Sequence, residues 1–281
     1  MSLKFARILG VNVTIENEEN ILEETRKYFL KSEIPRLIRG RRNPKSEKKS
    51  INPLIIFTPN PEIVVLAQKD DEYKRIVNSA QINLPDGAGI IWAVNRLEKV
   101  KIRRVSGADF MLHLVKLAEE KALTIGIIGG RGGLAVEAIE CLQKTFKDVK
   151  MEALGEPEID TKGGQAIDSE NYFQNLKNDI DKRKIEILFV ALGFPKQEYF
   201  IENIKIQISK SKKFRPIILM AVGGSLEYIS GRIPRAPGQI RRAGLEWMWR
   251  LARQPWRIRR QLAGGEFFIK VLMTPNKKLL F

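Results

Sequence analysis

A single cysteine and a single histidine serve all 281 residues. Cys141, inside the helical pattern LAVEAIECLQKTF, has no second thiol to pair with, so an internal disulfide is excluded and the side chain reads as a small packing residue. A cytosolic location follows as the default expectation. His113, inside ADFMLHLVKLAEE, has no histidine partner with which to hold a metal. No zinc-ligand spacing and no nucleophile elbow occurs. The DID at 179 to 181 has the outline of a metal-binding Asp-x-Asp, but it lies on a helical pattern ahead of Lys182, Arg183 and Lys184, and reads as a solvated face. No metal and no cofactor is expected.

Long apolar runs are missing as well. The best, Ile185 to Phe194 and Pro216 to Val222, fall far short of the roughly 18 residues that a bilayer-spanning helix needs, so no membrane crossing is expected. The N-terminal MSLKFARILGVNV carries charges on both sides of Phe5 and no apolar core of the export-signal kind, so it reads as a first strand.

Positive charge is abundant and unevenly placed. The chain carries a formal +16, and residues 231 to 281 hold twelve Lys or Arg against only Glu246 and Glu266, a net of +10. Anionic partners should therefore meet the C-terminal fifth of the chain.

An apolar content of 43% is enough to bury a core, and the length suits one α/β core with an appendage. Apolar runs at 5 to 13, 53 to 58, 81 to 84, 123 to 128, 149 to 153, 185 to 191 and 216 to 222 read as strands. Helical patterns at 61 to 79, 107 to 121, 134 to 147, 168 to 183 and 197 to 208 separate them. The alternation predicts an α/β fold with a mostly parallel, Rossmann-like sheet flanked by helices. The basic, proline-punctuated stretch 34 to 50 reads as an exposed insertion, and the Gly- and Pro-rich run after Val222 places a boundary near 230. The expected organisation is a core over 1 to 230 and a basic helical appendage over 231 to 281.

Four corners follow predicted strands, where open α/β sheets bind ligands. In TPNP, Asn60 suits a helix N-cap with Pro61 at the first helical position, which leaves Thr58 unexplained. In LPDGAG, Asp86 reads either as a turn residue before Gly87 or as a carboxylate at a cleft mouth, available as a general base. Gly130 to Ala135 matches the G-x-G-x-x-A dinucleotide pattern, with Glu152 downstream, and its glycines could equally cradle the diphosphate of a nucleotide sugar. GFPKQE offers a cation at Lys196 and an amide at Gln197. Arg104, in RRVSGADF, is either a surface arginine or a cation beside the Asp86 loop.

In the tail, Arg242, Glu246, Arg250, Arg253, Arg257 and Arg260 recur at helical steps, with an interruption at Pro255. Trp247, Trp249 and Trp256 lie among them, a composition suited to the headgroup region of a bilayer. A helical hairpin packed on the core and a nucleic-acid surface are the other readings. Membrane attachment agrees best with the remaining features.

ILGVNV, TPNPEIVVLAQ, LPDGAGIIW, RRVSGADF, IGIIGGRGG, VALGFPKQE, AVGGSLEYISGRIPRAP and GLEWMWRLARQPWR occur in one order along nearly the whole chain. That ordered set resembles the WecG/TagA/CpsF family of bacterial glycosyltransferases, glycosyltransferase family 26. The insertion at 34 to 50 and the LAGGEFF segment after 262 depart from it without touching a motif. The resemblance implies inverting, metal-independent transfer of N-acetylmannosamine or its uronic acid from a UDP-sugar to N-acetylglucosamine on undecaprenyl diphosphate. It implies Asp86 as the catalytic base with Thr58 beside it and Asn60 in the same pocket. Gly129, Gly130 and Gln197 would meet the donor, with the Lys196 cation of the same GFPKQE loop as a further substrate-binding candidate, and Arg104, Arg235 and Arg242 would neutralise diphosphate charge. The tail would hold the enzyme at the inner face of the plasma membrane, self-association of the core would suit the family, and nucleic acid would not be a partner. The residues alone leave a NAD-dependent oxidoreductase and a nucleic-acid-binding α/β protein as alternatives.

Overall fold

The N-terminal apolar segment folds back on itself instead of running as one strand. In the computed structural model, which describes residues 3–37, 52–163, 169–210 and 215–275, β1 (Phe5–Ile8) pairs antiparallel with β2 (Val11–Thr14). Leu9 and Gly10 make the turn with φ of 47° and 86°, the left-handed pair that a two-residue hairpin requires. The single strand expected over 5 to 13 is therefore a hairpin.

A parallel strand covered on both faces must be apolar at nearly every position. β3 (Leu54–Phe57), β5 (Thr124–Gly129), β7 (Ile185–Ala191) and β8 (Ile218–Ala221) come near that demand, and the edge strands β4 (Ile82–Asn83) and β6 (Met151–Ala153) carry Asn83 and Glu152. They form a six-stranded sheet in the order β4-β3-β8-β7-β5-β6, with every pairing parallel. Leu54 stands opposite Ile218, and Ile218 opposite Ile187, so the three central strands are in register.

Alternate residues feed two cores, as the pleat dictates. Leu54, Ile56, Ile187, Phe189, Ile218 and Met220 face one. It is covered by α1 (Glu18–Leu37), α5 (Gly107–Lys121), α6 (Leu134–Gln143) and α9 (Ser225–Ile229). Ile55, Phe57, Leu188, Val190, Leu219 and Ala221 face the other. The hairpin and α2 (Pro61–Lys69), α3 (Asp71–Asn78), α4 (Ala88–Leu97), α7 (Ser169–Arg183) and α8 (Lys196–Ser209) close that side.

Asp70 divides the helix expected over 61 to 79. Its backbone is extended and its carboxylate accepts the Tyr73 N–H at 2.9 Å, capping α3. Helix α4 lies outside the helical patterns named from the sequence. Residues 34 to 37 belong to α1 and not to the expected loop, whose remainder, 38 to 50, falls outside the described residues.

Beyond 230 come α10 (Gly238–Arg242), α11 (Glu246–Arg253), a 3-10 turn at Pro255–Arg257 and α12 (Ile258–Met273). The interruption at Pro255 is where the sequence places it. Helix α12 lies against α2 and α4, with Phe267 and Val271 fully buried. Since all six sheet strands run the same way, the loops after them open on one edge.

Candidate active site

Asp86 is placed by the loop that leaves β4. Its Oδ1 accepts from Arg104 Nε at 2.9 Å and is ion-paired with Nη2 at 2.8 Å, and its Oδ2 accepts the backbone N–H of Gly107 at 3.0 Å. That N–H opens α5 and has no partner within the helix, so the Asp86 carboxylate caps α5 from a neighbouring loop, where the helix dipole favours an anion. Thr58, at the end of β3, packs on the same spot. A Cβ on residue 107 would lie 2.8 Å from Thr58 Cγ2 and 3.4 Å from Asp86 Oδ2.

Arg104 is held from a second side. Its Nη1 pairs with Glu246 in the first turn of α11 at 2.8 Å. Burial works against its charge, and the Asp86 and Glu246 carboxylates more than offset this, so its pKa stands above the ordinary arginine value. Arg235 spans both oxygens of Asp109 at 2.5 and 2.8 Å, donates to Ser106 Oγ at 3.2 Å, and lies 3.6 Å from Glu246. Burial opposes the Asp109 charge too, yet the Arg235 fork holds that carboxyl below the usual carboxylate range.

A cleft of about 720 Å³ opens beside Arg104. Ile91 and Trp92 of α4 give it an apolar wall, and Arg96, Arg104, Arg241 and Arg242 line it with cations. The α10–α11 corner closes over α4 at Gly244, whose φ is +74° and whose Cβ would lie 2.9 Å from Ala88 Cβ. Glycine is the residue that both constraints admit. Trp92 also packs on Phe268 of α12, centroids 5.4 Å apart.

The structure thus brings Asp86, Thr58 and Arg104 together, adds Arg242 in the cleft, and joins Arg235 through Glu246. Asn60 Oδ1 accepts the Ile63 N–H at 3.0 Å, the N-cap role its sequence context suits. The remaining residues lie at the ends of other strands and do not line the arginine cleft. The Gly129 and Gly130 N–H groups donate to Gly155 O at 2.9 Å and Ala191 O at 3.0 Å. Gln197, buried in the first turn of α8, accepts from Gly223 N at 3.0 Å and donates to Glu198 at 2.9 Å, tying the start of α8 to the loop after β8. Lys196 Nζ donates to Ile159 O at 2.7 Å. Glu152 sits on β6 paired with Lys150 and Arg183.

Sequence reasoning passed over Trp92, Arg96 and Arg241, and placed Glu246 only in the charged stripe of the tail. A signal for the first two exists: Ala88, Trp92 and Arg96 recur every four residues and share one face of α4. Among the described residues no group of three or more His, Cys, Asp or Glu side chains could hold a metal ion.

The sequence model of the glycosyl transferase WecG/TagA/CpsF family matches residues 41–279. The chain belongs to this family. As a WecG/TagA/CpsF member it is a glycosyltransferase, which sets aside the oxidoreductase and nucleic-acid readings. The match includes residues 41 to 50 and nearly all of the chain after 262, segments that the sequence reading treated as departures. Three relatives bear the name N-acetylglucosaminyldiphosphoundecaprenol N-acetyl-beta-D-mannosaminyltransferase. The protein of Bacillus subtilis is 29% identical, over 81% of this chain and 82% of its own. That of Bacillus spizizenii is 30% identical, over 77% and 78%. That of Staphylococcus aureus strain MW2 is 29% identical, over 82% and 84%.

Proposed function

We propose that this family member transfers N-acetylmannosamine from UDP-N-acetylmannosamine to N-acetylglucosamine on undecaprenyl diphosphate, in the synthesis of a cell-wall polymer. The names of the relatives support the sugar and the acceptor. The observation that carries the chemistry is a carboxylate, Asp86, beside a cleft with four arginines and an apolar wall. A prenyl diphosphate combines two negative charges with hydrocarbon, and this cleft complements both.

Asp86 Oδ1 is occupied by Arg104, whereas Oδ2 takes one N–H and keeps a lone pair for an acceptor hydroxyl. In the proposed step the acceptor oxygen attacks the anomeric carbon, its proton passes to Asp86, and the bond to UDP breaks with the electron pair leaving on the diphosphate. A single displacement inverts the anomeric centre. Positioned bases contribute about 10² to 10⁴ in rate. Fixed arginines and backbone donors stabilise the developing charge, so the step is proposed to need no metal ion. Gly129, Gly130, Lys196 and Gln197 are proposed to border the donor.

The tail is proposed to seat the enzyme on the inner face of the plasma membrane. Trp247, Met248, Trp256 and Ile258 are exposed, and so are Phe268, Ile269, Leu272 and Met273 on the outward side of α12. Arginines flank the first four and Lys270 lies among the last four, as suits a surface that lies in an anionic headgroup region. Trp249 differs, donating to Pro234 O at 3.0 Å and carrying Arg253 at 3.7 Å over its ring. Among the described residues no helix is long and apolar enough to cross a membrane.

The test is UDP release by purified protein from a panel of UDP-sugars in EDTA, with and without a short-chain prenyl diphosphate N-acetylglucosamine. Release from UDP-N-acetylmannosamine that depends on the acceptor supports the reading. Release that ignores the acceptor, or that requires added metal, contradicts it.

A further inference from the structure

Glu246 is a buried carboxylate in the most basic part of the chain. It is 8% exposed and is one of two acids among residues 231 to 281, which hold twelve cations. The other, Glu266, pairs with Lys69 and Lys270. A buried carboxylate without a counter-charge is strongly unfavourable, so its position has to be matched by cations. The matching cations are Arg104 at 2.8 Å and Arg235 at 3.6 Å, which approach from the 101–106 loop and from the segment before α10.

The arrangement forms a chain of alternating charge: Asp86, Arg104, Glu246, Arg235, Asp109. Two of its members, Arg104 and Arg235, would repel each other without the carboxylate between them. Of the three side-chain nitrogens of Arg104, Nε hydrogen-bonds Asp86, Nη2 is ion-paired with the same carboxylate at 2.8 Å and Nη1 is ion-paired with Glu246 at 2.8 Å. Its fork is rigid and planar, so fixing both ends fixes its plane. Arg104 is also the side chain through which the cleft touches Asp86. What α11 contributes to this end of the sheet is therefore a carboxylate that sets where the cation beside Asp86 stands.

We propose that Glu246 is a positioning residue: it clamps Arg104 and Arg235 together and makes the geometry around Asp86 depend on the seating of α11. The inference rests on the transfer reaction proposed above. It separates two roles within the tail, since the exposed apolar side chains face outward whereas Glu246 faces the catalytic carboxylate's partner. A tail lifted from the core withdraws Glu246 and leaves Arg104 held by Asp86 alone.

The experiment compares full-length wild type, E246Q and E246D in turnover, donor affinity and the rate of tryptic cleavage within the tail. E246Q keeps the shape and removes the charge. Its kcat should fall by about 10- to 100-fold, the size of effect that a misplacement of an ångström produces. UDP-sugar affinity should stay within about twofold of wild type, because the donor residues lie at other strand ends, and tail cleavage should quicken by about fivefold or more, as expected for weakened local closure. E246D keeps the charge on a shorter arm and should recover part of both losses. Wild-type turnover in E246Q, unaltered tail protection, or a loss of donor affinity as large as the loss of turnover overturns the proposal. If wild type itself transfers no sugar, the reaction reading falls, and the cleavage rates alone still decide the clamp.

Discussion

Gly107 lies so close to Thr58 that a Cβ at 107 would meet Thr58 Cγ2 at 2.8 Å. The contact exists because the Gly107 N–H reaches Asp86 Oδ2 at 3.0 Å, drawing the start of α5 against the end of β3. Thr58 is β-branched and stiff, so it yields little. Gly107→Ala should therefore separate Thr58, Asp86 and the α5 terminus, lowering kcat by about tenfold or more. Steady-state kinetics with both substrates checks this, and an unchanged kcat would show that the contact has no part in the reaction.

The cleft makes a prediction about the acceptor. Arg242 is exposed at its rim and has the freedom to meet diphosphate. Arg242→Gln should raise the acceptor KM by about tenfold, the value of one charge-assisted contact, and leave the donor KM unchanged. A change confined to the donor would move the diphosphate elsewhere.

Membrane contact is testable without disturbing the core. Trp256 is 69% exposed and Ile269 60% exposed. Replacing both with Glu should cut binding to anionic liposomes by at least about tenfold, from lost apolar burial and added repulsion. Thermal stability should hold within about 2 °C, because surface changes of this kind cost little. Liposome binding equal to wild type would assign the contact to another surface.

Acid should weaken the Asp109–Arg235 pair. The folded Asp109 pKa lies below its ordinary value of 3.8. Its contribution is therefore fully present above that value and is lost as pH falls through the folded pKa. The group is half exposed, so the contribution is modest, about 1 kcal/mol or less. Asp109→Asn should melt about 2 °C below wild type at pH 6 to 7, with the gap closing below about pH 4. A gap that stays constant down to pH 3 would mean that the charge of Asp109 carries none of it.

The parallel sheet was legible because strands buried on both faces write themselves as apolar runs, of which 54 to 57 and 187 to 191 are examples. Turn chemistry after those runs marked one edge of the sheet, and Asp86, Thr58 and Arg104 lie together there. The hairpin at 5 to 14 was hidden because apolar Leu9 takes a left-handed conformation that favours Asn or Gly. The break at Asp70 was hidden because the helical pattern over 61 to 79 runs on through it, although Asp70 caps α3. The cleft was the least legible part. Arg96 and Arg241 come from segments far apart in sequence, joined where Gly244 lets the tail close over Ala88, and no local spacing encodes that meeting.

Asp86→Asn tests the central claim most directly, because it keeps the size of the side chain and removes the proton acceptor. The measurement is single-turnover transfer beside equilibrium binding of UDP-N-acetylmannosamine. The account predicts unchanged donor affinity and turnover reduced by at least about a hundredfold, the leverage of a general base. Turnover near wild type with donor binding intact would contradict it, and would leave Asp86 as a cap for α5 and no more.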